Sequence, residues 1–178
     1  GLILQSNVEM IGTTDDPCSD LSYHEKLAAD ESFPVKVLPS FRPDPAVNIQ
    51  KPGFAAYIQR LEGAAGRSLG TIDEVKQALS ERIAYFDAHG CRSADHGLDA
   101  LVCRPVSDSV ATAALKKARR GESLTQEEIE GYQTALLLHC AREYAKRGWV
   151  MQLHFSCMRN PNSRMVALLG PDTGFDSM

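Results

Sequence analysis

Residues 35–44 read VKVLPSFRPD, a short apolar segment that runs directly into prolines and polar residues. An apolar run of this length, rich in valine and bounded by turn-forming residues, predicts a β-strand followed by a polar loop. Three other stretches have the same design: residues 8–17 (VEMIGTTDDP), residues 90–97 (GCRSADHG) and residues 149–154 (WVMQLH). The four stretches predict strands that end near Thr13, Ser40, Asp95 and His154.

Two capping boxes mark the longest helices between these strands. Thr71 and Glu74 have the spacing in which each side chain bonds the other residue's backbone amide at a helix start, and Thr125 and Glu128 repeat it. Apolar residues recur at helical spacing after both boxes. The helices are predicted to stop at Gly90 and Gly148, with shorter helices at 21–29 and 54–61, the second closed by Gly63.

The predicted elements follow the order β-α-β-α-α-β-α-α-β. Such alternation is typical of α/β proteins in which helical crossovers join parallel strands. We therefore predict one domain over residues 1–178 with four strands in one parallel sheet, and a helical excursion over residues 104–147. The 178 residues are fewer than the roughly 250 of a complete (β/α)8 barrel, and we expect a segment of a longer protein.

The composition argues against nucleic-acid and membrane partners. The formal net charge is −4, and the basic run at 116–120 fits the solvated end of a helix better than a nucleic-acid patch. No apolar run approaches the roughly 18 residues of a membrane span, and the apolar start lacks the basic residues of a signal peptide. The five cysteines form no CxxC pair and suit a reduced, cytoplasmic chain.

Chemistry is expected where the strands end, because ligands of parallel α/β proteins sit beyond the carboxyl ends of the strands. Arg offers a planar fork for a carboxylate or phosphate, and Asp and His suit proton transfer or metal binding. No GxGxxG or GxxxxGK loop occurs, so a small polyhydroxylated anion fits better than a nucleotide. Four clusters are predicted to converge there: Asp15 with Asp16, Arg42 with Asp44, Asp95 with His96, and His154 with Arg159.

Five blocks of the sequence, in this order, resemble those of the uronate isomerase family. They are residues 12–17 (GTTDDP), 37–44 (VLPSFRPD), 95–97 (DHG), 149–160 (WVMQLHFSCMRN) and 168–177 (LLGPDTGFDS). The resemblance covers nearly the whole chain and corresponds to the middle portion of such an enzyme. It implies the fold of the amidohydrolase superfamily, so we expect about four of the eight parallel strands of a (β/α)8 TIM barrel.

The resemblance also implies an activity. Family members interconvert D-glucuronate with D-fructuronate, and D-galacturonate with D-tagaturonate, in hexuronate catabolism. A proton moves between C2 and C1 through an enediol, which requires a base, a group that stabilises the enediolate, and an Arg that holds the remote carboxylate. The family further implies a divalent metal such as zinc in the full-length enzyme. We also expect a small sugar acid as partner, a homo-oligomer, and no activity from this chain alone, which lacks the family's His-x-His motif.

Site residues are carried over motif by motif. His154 at a strand end and Asp95 of the Asp-His-Gly block resemble catalytic positions of the family. Arg159 resembles an arginine that binds substrate. Arg42 and Asp44 match the Arg-Pro-Asp block, and we expect them to contact substrate too. The resemblance assigns no metal ligand to this chain.

Two other interpretations stay open. A metal-dependent hydrolase of the same superfamily would also carry His and Asp at strand ends, although the Arg-rich motifs fit it less well. A non-catalytic α/β fragment is the second alternative. Two details also remain ambiguous: Arg164 fits either the region of Arg159 or a helix surface, and residues 155–158 (FSCM) replace the family's small apolar stretch.

Overall fold

The computed structural model describes residues 1–171 and 173–177. Its strands are β1 (Met10–Gly12), β2 (Lys36–Leu38), β3 (Ser93–Gly97) and β4 (Val150–His154). Its helices are α1 (Leu2–Gln5), α2 (Ser22–Ala28), α3 (Asp44–Val47), α4 (Phe54–Ala65), α5 (Ile72–Ala88), α6 (Asp108–Arg119), α7 (Gln126–Arg147) and α8 (Ser163–Leu169). The predicted α/β alternation is confirmed, because helices separate each strand from the next.

Both predicted capping boxes form at the starts of α5 and α7. The Thr71 hydroxyl accepts a hydrogen bond from the Glu74 amide at 3.3 Å, and the Glu74 carboxylate accepts one from the Thr71 amide at 2.8 Å. Thr125 and Glu128 repeat this exchange at 3.2 and 2.9 Å. Each box satisfies two backbone amides that the first turn of a helix leaves without a partner.

The helix that was predicted to close at Gly63 continues through that residue, so this boundary was wrong. α4 ends at Ala65, and Gly66 caps it with a φ of +67° that turns the chain left-handed. The turn lets the amide of Arg67 bond the carbonyl of Glu62 at 3.2 Å. Glycine adopts this conformation without steric cost, and Gly63 keeps the helical backbone.

The strands are parallel, as predicted, but they form two sheets of two strands rather than one sheet of four. β1 pairs with β2 and β3 pairs with β4. Phe41 joins the two pairs through an isolated parallel bridge to Ala94, in which its amide bonds the carbonyl of Ser93 at 3.0 Å. The positions two residues before and after Phe41 are Pro39 and Pro43. Proline has no amide hydrogen, so the ladder between β2 and β3 cannot extend beyond this one bridge.

β3 begins three residues later than the predicted segment and contains the Asp-His-Gly block instead of preceding it. The reason lies at the end of α5, where the amide of Cys91 still bonds the carbonyl of Phe86 at 3.0 Å and Gly90 turns with a φ of +84°. Residues 90–92 therefore form the turn that follows α5, and the strand begins only after them. Because successive side chains of a strand point to opposite faces, Asp95 and His96 lie on opposite sides of β3.

Aromatic side chains fill the core between the strands and the helices. The Phe41 ring, fully buried, lies with its centroid 5.0 Å from that of Phe86 on α5, 6.2 Å from that of Tyr144 on α7 and 6.4 Å from that of Trp149. The apolar faces predicted for α5 and α7 point into this core, with buried side chains that include Val75, Leu79, Ile83, Tyr132 and Leu136. The helices therefore pack against one face of the strands, with this core between them.

The outermost strands, β1 and β4, carry exposed apolar side chains. Met10 is 60% exposed and Val150 is 65% exposed. In the described part of the chain, no helix combines the length and the apolar character that crossing a bilayer requires.

Candidate active site

Four of the predicted site residues come together near the carboxyl ends of the strands: Arg42 and Asp44 follow β2, Asp95 lies within β3 and His154 ends β4. The guanidinium of Arg42 contacts the Asp44 carboxylate at 2.9 Å and the Asp95 carboxylate at 3.3 Å. The imidazole Nε2 of His154 lies 3.9 Å from Oδ2 of Asp95. The backbone explains this proximity, since Asp95 and His154 lie on paired strands and the register aligns Gly97 with His154.

Asp95 is fixed from several sides. Its backbone lies in the middle of β3, and the carboxylate is nearly buried. Oδ1 accepts a hydrogen bond from the Ser40 hydroxyl at 3.2 Å, while Oδ2 faces Arg42 and His154. His154 ends the edge strand β4, and its side chain is 47% exposed. A solvent-accessible imidazole beside a fixed carboxylate is an arrangement suited to proton transfer.

Asp44 links this cluster to the end of β3. Its Oδ2 atom accepts hydrogen bonds from Nε of Arg42 and from the backbone amide of Gly97, both at 2.9 Å. A side chain at position 97 would enter the same space, because a Cβ there would lie 2.5 Å from Nη2 of Arg42 and 3.2 Å from Oδ2 of Asp44. Gly97 therefore provides the room in which this ion pair packs.

Arg159 lies across an open cleft from this cluster. Its Nη1 contacts Oδ2 of Asp176 at 2.5 Å, and the amide of Asn160 donates to Oδ1 of the same carboxylate at 2.9 Å. The hydrogen bond from Asn160 and the guanidinium of Arg159 hold the pKa of Asp176 below its ordinary value. The cleft has a volume of about 660 Å³, and Arg42, Asp44, Arg159 and Asp176 all line it.

The sequence interpretation missed two contributors to this cleft. Asp176 pairs with Arg159 although 17 positions separate them, and the antiparallel bridge between Met158 and Ser177 brings the two segments together. Lys51 and Asp99 form an ion pair of 3.0 Å that also lines the cleft. The block at 168–177 signalled the importance of its segment but not this pairing. Asp172 of that block lies outside the described residues.

Asp15 and Asp16, which were also predicted to converge on this face, have separate partners. Asp15 accepts a hydrogen bond from the Thr13 hydroxyl at 2.6 Å and lies 3.7 Å from the His24 imidazole. Asp16 contacts Arg60 at 3.6 Å. His96 is on the opposite face of β3 from Asp95, because the Asp-His-Gly block is strand rather than loop. Arg164 is exposed on α8, the helix-surface position that was one of its two interpretations.

Among residues 1–171 and 173–177, no group of three or more His, Cys, Asp and Glu side chains is arranged to hold a metal ion. The guanidinium of Arg42 already neutralises the carboxylates of Asp44 and Asp95 beside His154. The described donor set thus does not fit a metal centre.

The fold and the cluster define an α/β protein that carries a polar, Arg-containing site at the carboxyl ends of parallel strands. The sequence model of the glucuronate isomerase family matches residues 1–178. The chain therefore belongs to the glucuronate isomerase family.

Named relatives agree with this assignment. Uronate isomerases of Salmonella arizonae and Salmonella paratyphi B are 49% identical to the chain over 179 aligned positions. These positions cover 100% of the chain, which spans 38% of the length of these curated relatives.

Solved structures of the family have the same fold over this region. The crystal structure of a uronate isomerase from Thermotoga maritima superposes with a TM-score of 0.91 at 35% identity, over 99% of this chain and 39% of that one. Glucuronate isomerase from Caulobacter crescentus superposes with a TM-score of 0.85 at 25% identity, over 99% and 36% of the respective chains.

Proposed function

We propose that the full-length enzyme to which this chain belongs is a uronate isomerase. It interconverts D-glucuronate with D-fructuronate, and D-galacturonate with D-tagaturonate, in hexuronate catabolism. The observation that carries the proposal is the match of all residues 1–178 to the glucuronate isomerase family. The Arg42, Asp95 and His154 cluster at the strand ends supports it, because proton transfer on a sugar acid needs these side-chain types.

His154 is the proposed proton carrier. Its imidazole takes the proton from C2 of the substrate, and the electron pair forms the C1=C2 bond of the enediol while O1 gains a proton. The imidazolium then returns a proton to C1 as O2 loses its proton and C2 becomes the carbonyl carbon of the ketose. Asp95 lies 3.9 Å from Nε2 and is itself fixed by Ser40 and Arg42. A carboxylate held in this way orients the imidazole and stabilises its cationic form during the transfer.

Arg159 is proposed to bind the carboxylate of the sugar acid. It lines the cleft that Arg42 and Asp44 line from the other side. A guanidinium can bind a carboxylate in a bidentate manner, which would place C1 and C2 toward His154. Arg42 and Asp44 complete the proposed substrate contacts, and Asp44 makes its contact through Oδ2, because Oδ1 is buried.

The strands β1 to β4 are proposed to be part of a (β/α)8 TIM barrel of the amidohydrolase superfamily. Their parallel pairing and the bridge through Phe41 support this arrangement. Residues 104–147 then form a helical excursion from the barrel. The full-length enzyme is further proposed to be a cytoplasmic homo-oligomer that uses a divalent metal such as zinc. The described residues do not fit a metal, so no step above runs through it.

The test is an isomerisation assay on the full-length enzyme. Ketose formation from D-glucuronate and D-galacturonate is followed, with D-glucose as the matched substrate that lacks the carboxylate. We expect turnover of at least one uronate and none of glucose. Hydrolysis of an ester or amide substrate without ketose formation would instead favour the metal-dependent hydrolase.

A further inference from the structure

His96 is a buried histidine that the proposed chemistry does not use. It is fully buried on the core face of β3, with its ring centroid 5.8 Å from that of Tyr144. Within the part of the chain that the structure describes, neither ring nitrogen has a hydrogen-bond partner. Oδ1 of Asp44 lies 3.8 Å from Nδ1 and is also buried without a hydrogen bond.

Packing alone does not account for an imidazole at this position. A buried polar group without a hydrogen bond destabilises the folded protein, whereas an apolar ring of similar shape carries no such cost. A phenyl ring would retain the contact with Tyr144. The imidazole therefore needs an explanation in terms of its nitrogens.

The geometry directs one of these nitrogens toward the candidate site. Oδ2 of Asp44 accepts from Arg42 and from the amide of Gly97, while Oδ1 of the same carboxylate faces His96. Burial lowers the pKa of His96, against the opposing charges of Asp44 and Asp95, and so favours the neutral ring. A neutral imidazole carries one N–H group, and Nδ1 is the ring nitrogen that faces the Asp44 carboxylate.

We propose that His96 is a positioning residue whose Nδ1–H group orients the Asp44 carboxylate and, through it, the guanidinium of Arg42 against Asp95. The separation of 3.8 Å makes this an electrostatic contact rather than a hydrogen bond. Such a contact is effective here because both atoms are shielded from water. The catalytic consequence rests on the proposed function, in which Asp95 supports His154.

The experiment compares three replacements of His96 in the full-length enzyme. His96→Asn places an amide N–H close to the position of Nδ1. His96→Gln places it close to Nε2, and His96→Phe keeps the aromatic packing without any N–H. Tyr144→Phe is the matched control, because it removes another buried polar atom without a hydrogen bond, on the same side of β3.

Two measurements are made on each variant. The first is the chemical shift of the Arg42 Nε–H group, which donates to Oδ2 of Asp44, lies far from position 96 along the chain and needs no enzymatic activity. The second is kcat and KM for uronate isomerisation. We expect His96→Phe and His96→Gln to move the Arg42 resonance and to lower kcat about tenfold or more. KM should rise as well, because Arg42 and Asp44 are proposed substrate contacts. His96→Asn and Tyr144→Phe should stay close to the wild type in both measurements.

Other outcomes overturn the proposal. If His96→Phe leaves the Arg42 Nε–H resonance and kcat unchanged, or if His96→Asn is as impaired as His96→Gln, the Nδ1–H group has no positioning role. Should His96→Phe fail to fold, the comparison of Asn with Gln decides. A wild-type enzyme without isomerase activity would refute the proposed function, while the Arg42 resonance would still test the contact between His96 and Asp44.

Discussion

The guanidinium of Arg42 lies between two carboxylates, at 2.9 Å from Asp44 and 3.3 Å from Asp95. It therefore has a structural task in addition to any contact with substrate, because it keeps two like charges close together. Its position depends on small neighbours and fixed backbone rather than on other cations. Changes of single residues around it should consequently affect the rate of reaction more than the stability of the fold.

His154→Asn in the full-length enzyme is expected to lower kcat by roughly 10² to 10⁴-fold, because the amide cannot carry the proton between C2 and C1. The fold should persist, since the side chain of His154 is not part of the buried core. Steady-state kinetics on D-glucuronate and a thermal melt measure both effects. His89→Asn is the control, because His89 pairs with Glu25 at 2.9 Å, whereas His154 faces Asp95. Unchanged kinetics in His154→Asn would remove this residue from the catalytic groups.

Gly97→Ala is expected to reduce kcat about tenfold to a hundredfold, because the added methyl group would lie 2.5 Å from Nη2 of Arg42 and displace the guanidinium from Asp95. The displaced atom is the end of a flexible side chain, so the melting temperature should change little. Gly12→Ala is a matched control on β1, where a Cβ meets no atom within 4 Å. Equal kinetics in the two variants would show that the position of Arg42 does not limit the reaction.

The stability that neutral His96 contributes should depend on pH in one direction. Burial lowers its pKa in the folded protein below the ordinary value of 6.5. The free energy of unfolding relative to His96→Phe should therefore be constant above about pH 6.5 and fall as the pH decreases toward the folded pKa. Urea titrations of both proteins at pH 7.5 and 5.5 measure this difference. His139, whose pKa burial also lowers, is present in both and cancels. A difference that grows on acidification would mean that the folded pKa is raised.

Among the elements, helix starts were predictable and strand ends were less so. A capping box needs two residues three positions apart, so the sequence around Thr71 and Thr125 contains the whole signal. The start of β3 depends on where α5 stops, and Gly90 and Cys91 are used for that turn. The division into two sheets depends on which edge of β2 faces β3. Pro39 and Pro43 limit the pairing with β3 to one bridge only because they lie on that edge. No local sequence pattern shows which edge faces β3.

The same contrast applies to the candidate site. Arg42, Asp44, Asp95 and His154 were expected together because each follows or ends a predicted strand, and the strands are indeed parallel. The ion pair of Arg159 with Asp176 depends on the chain returning to residue 158. A pattern search along the sequence cannot foresee such a return.

Thr71→Ala and Thr125→Ala are each expected to destabilise the folded protein by about 1 kcal/mol, because each removes the acceptor for an amide in the first turn of a helix. The free energy of unfolding from urea titrations measures the loss. Thr14→Ala provides a control at an exposed loop position. If the Thr71 and Thr125 variants lose no more stability than this control, the caps are not energetically significant.

At the scale of the whole molecule, helices cover one face of the strands. The outermost strands β1 and β4 each pair with a neighbouring strand along one edge only. The strands follow the spatial order β1, β2, β3, β4, with Phe41 between the two pairs. The exposed side chains of Met10 and Val150 lie on the outermost strands. Edge strands present unpaired backbone groups, and exposed apolar side chains next to them favour pairing with another chain. The chain also spans 38% of the length of its curated relatives, so most residues of those enzymes have no counterpart in it.

The isolated 178-residue chain is therefore expected to self-associate and to show no uronate isomerisation, with or without added divalent metal. Association should proceed through the exposed margin at β4. Val150→Lys, which places a charge on this strand, should shift the solution mass toward the monomer, because charged edge residues oppose strand pairing. Val110→Lys makes the same substitution at an exposed position of helix α6, where Val110 is 46% exposed, and should leave the association unchanged. Light scattering after size exclusion measures the mass, and ketose formation from D-glucuronate measures the activity.

Activity above background would mean that this chain already contains every catalytic group. Association that survives Val150→Lys would place the contact elsewhere, and a monomeric wild type would show that the edges of β1 and β4 are stable in water without a partner.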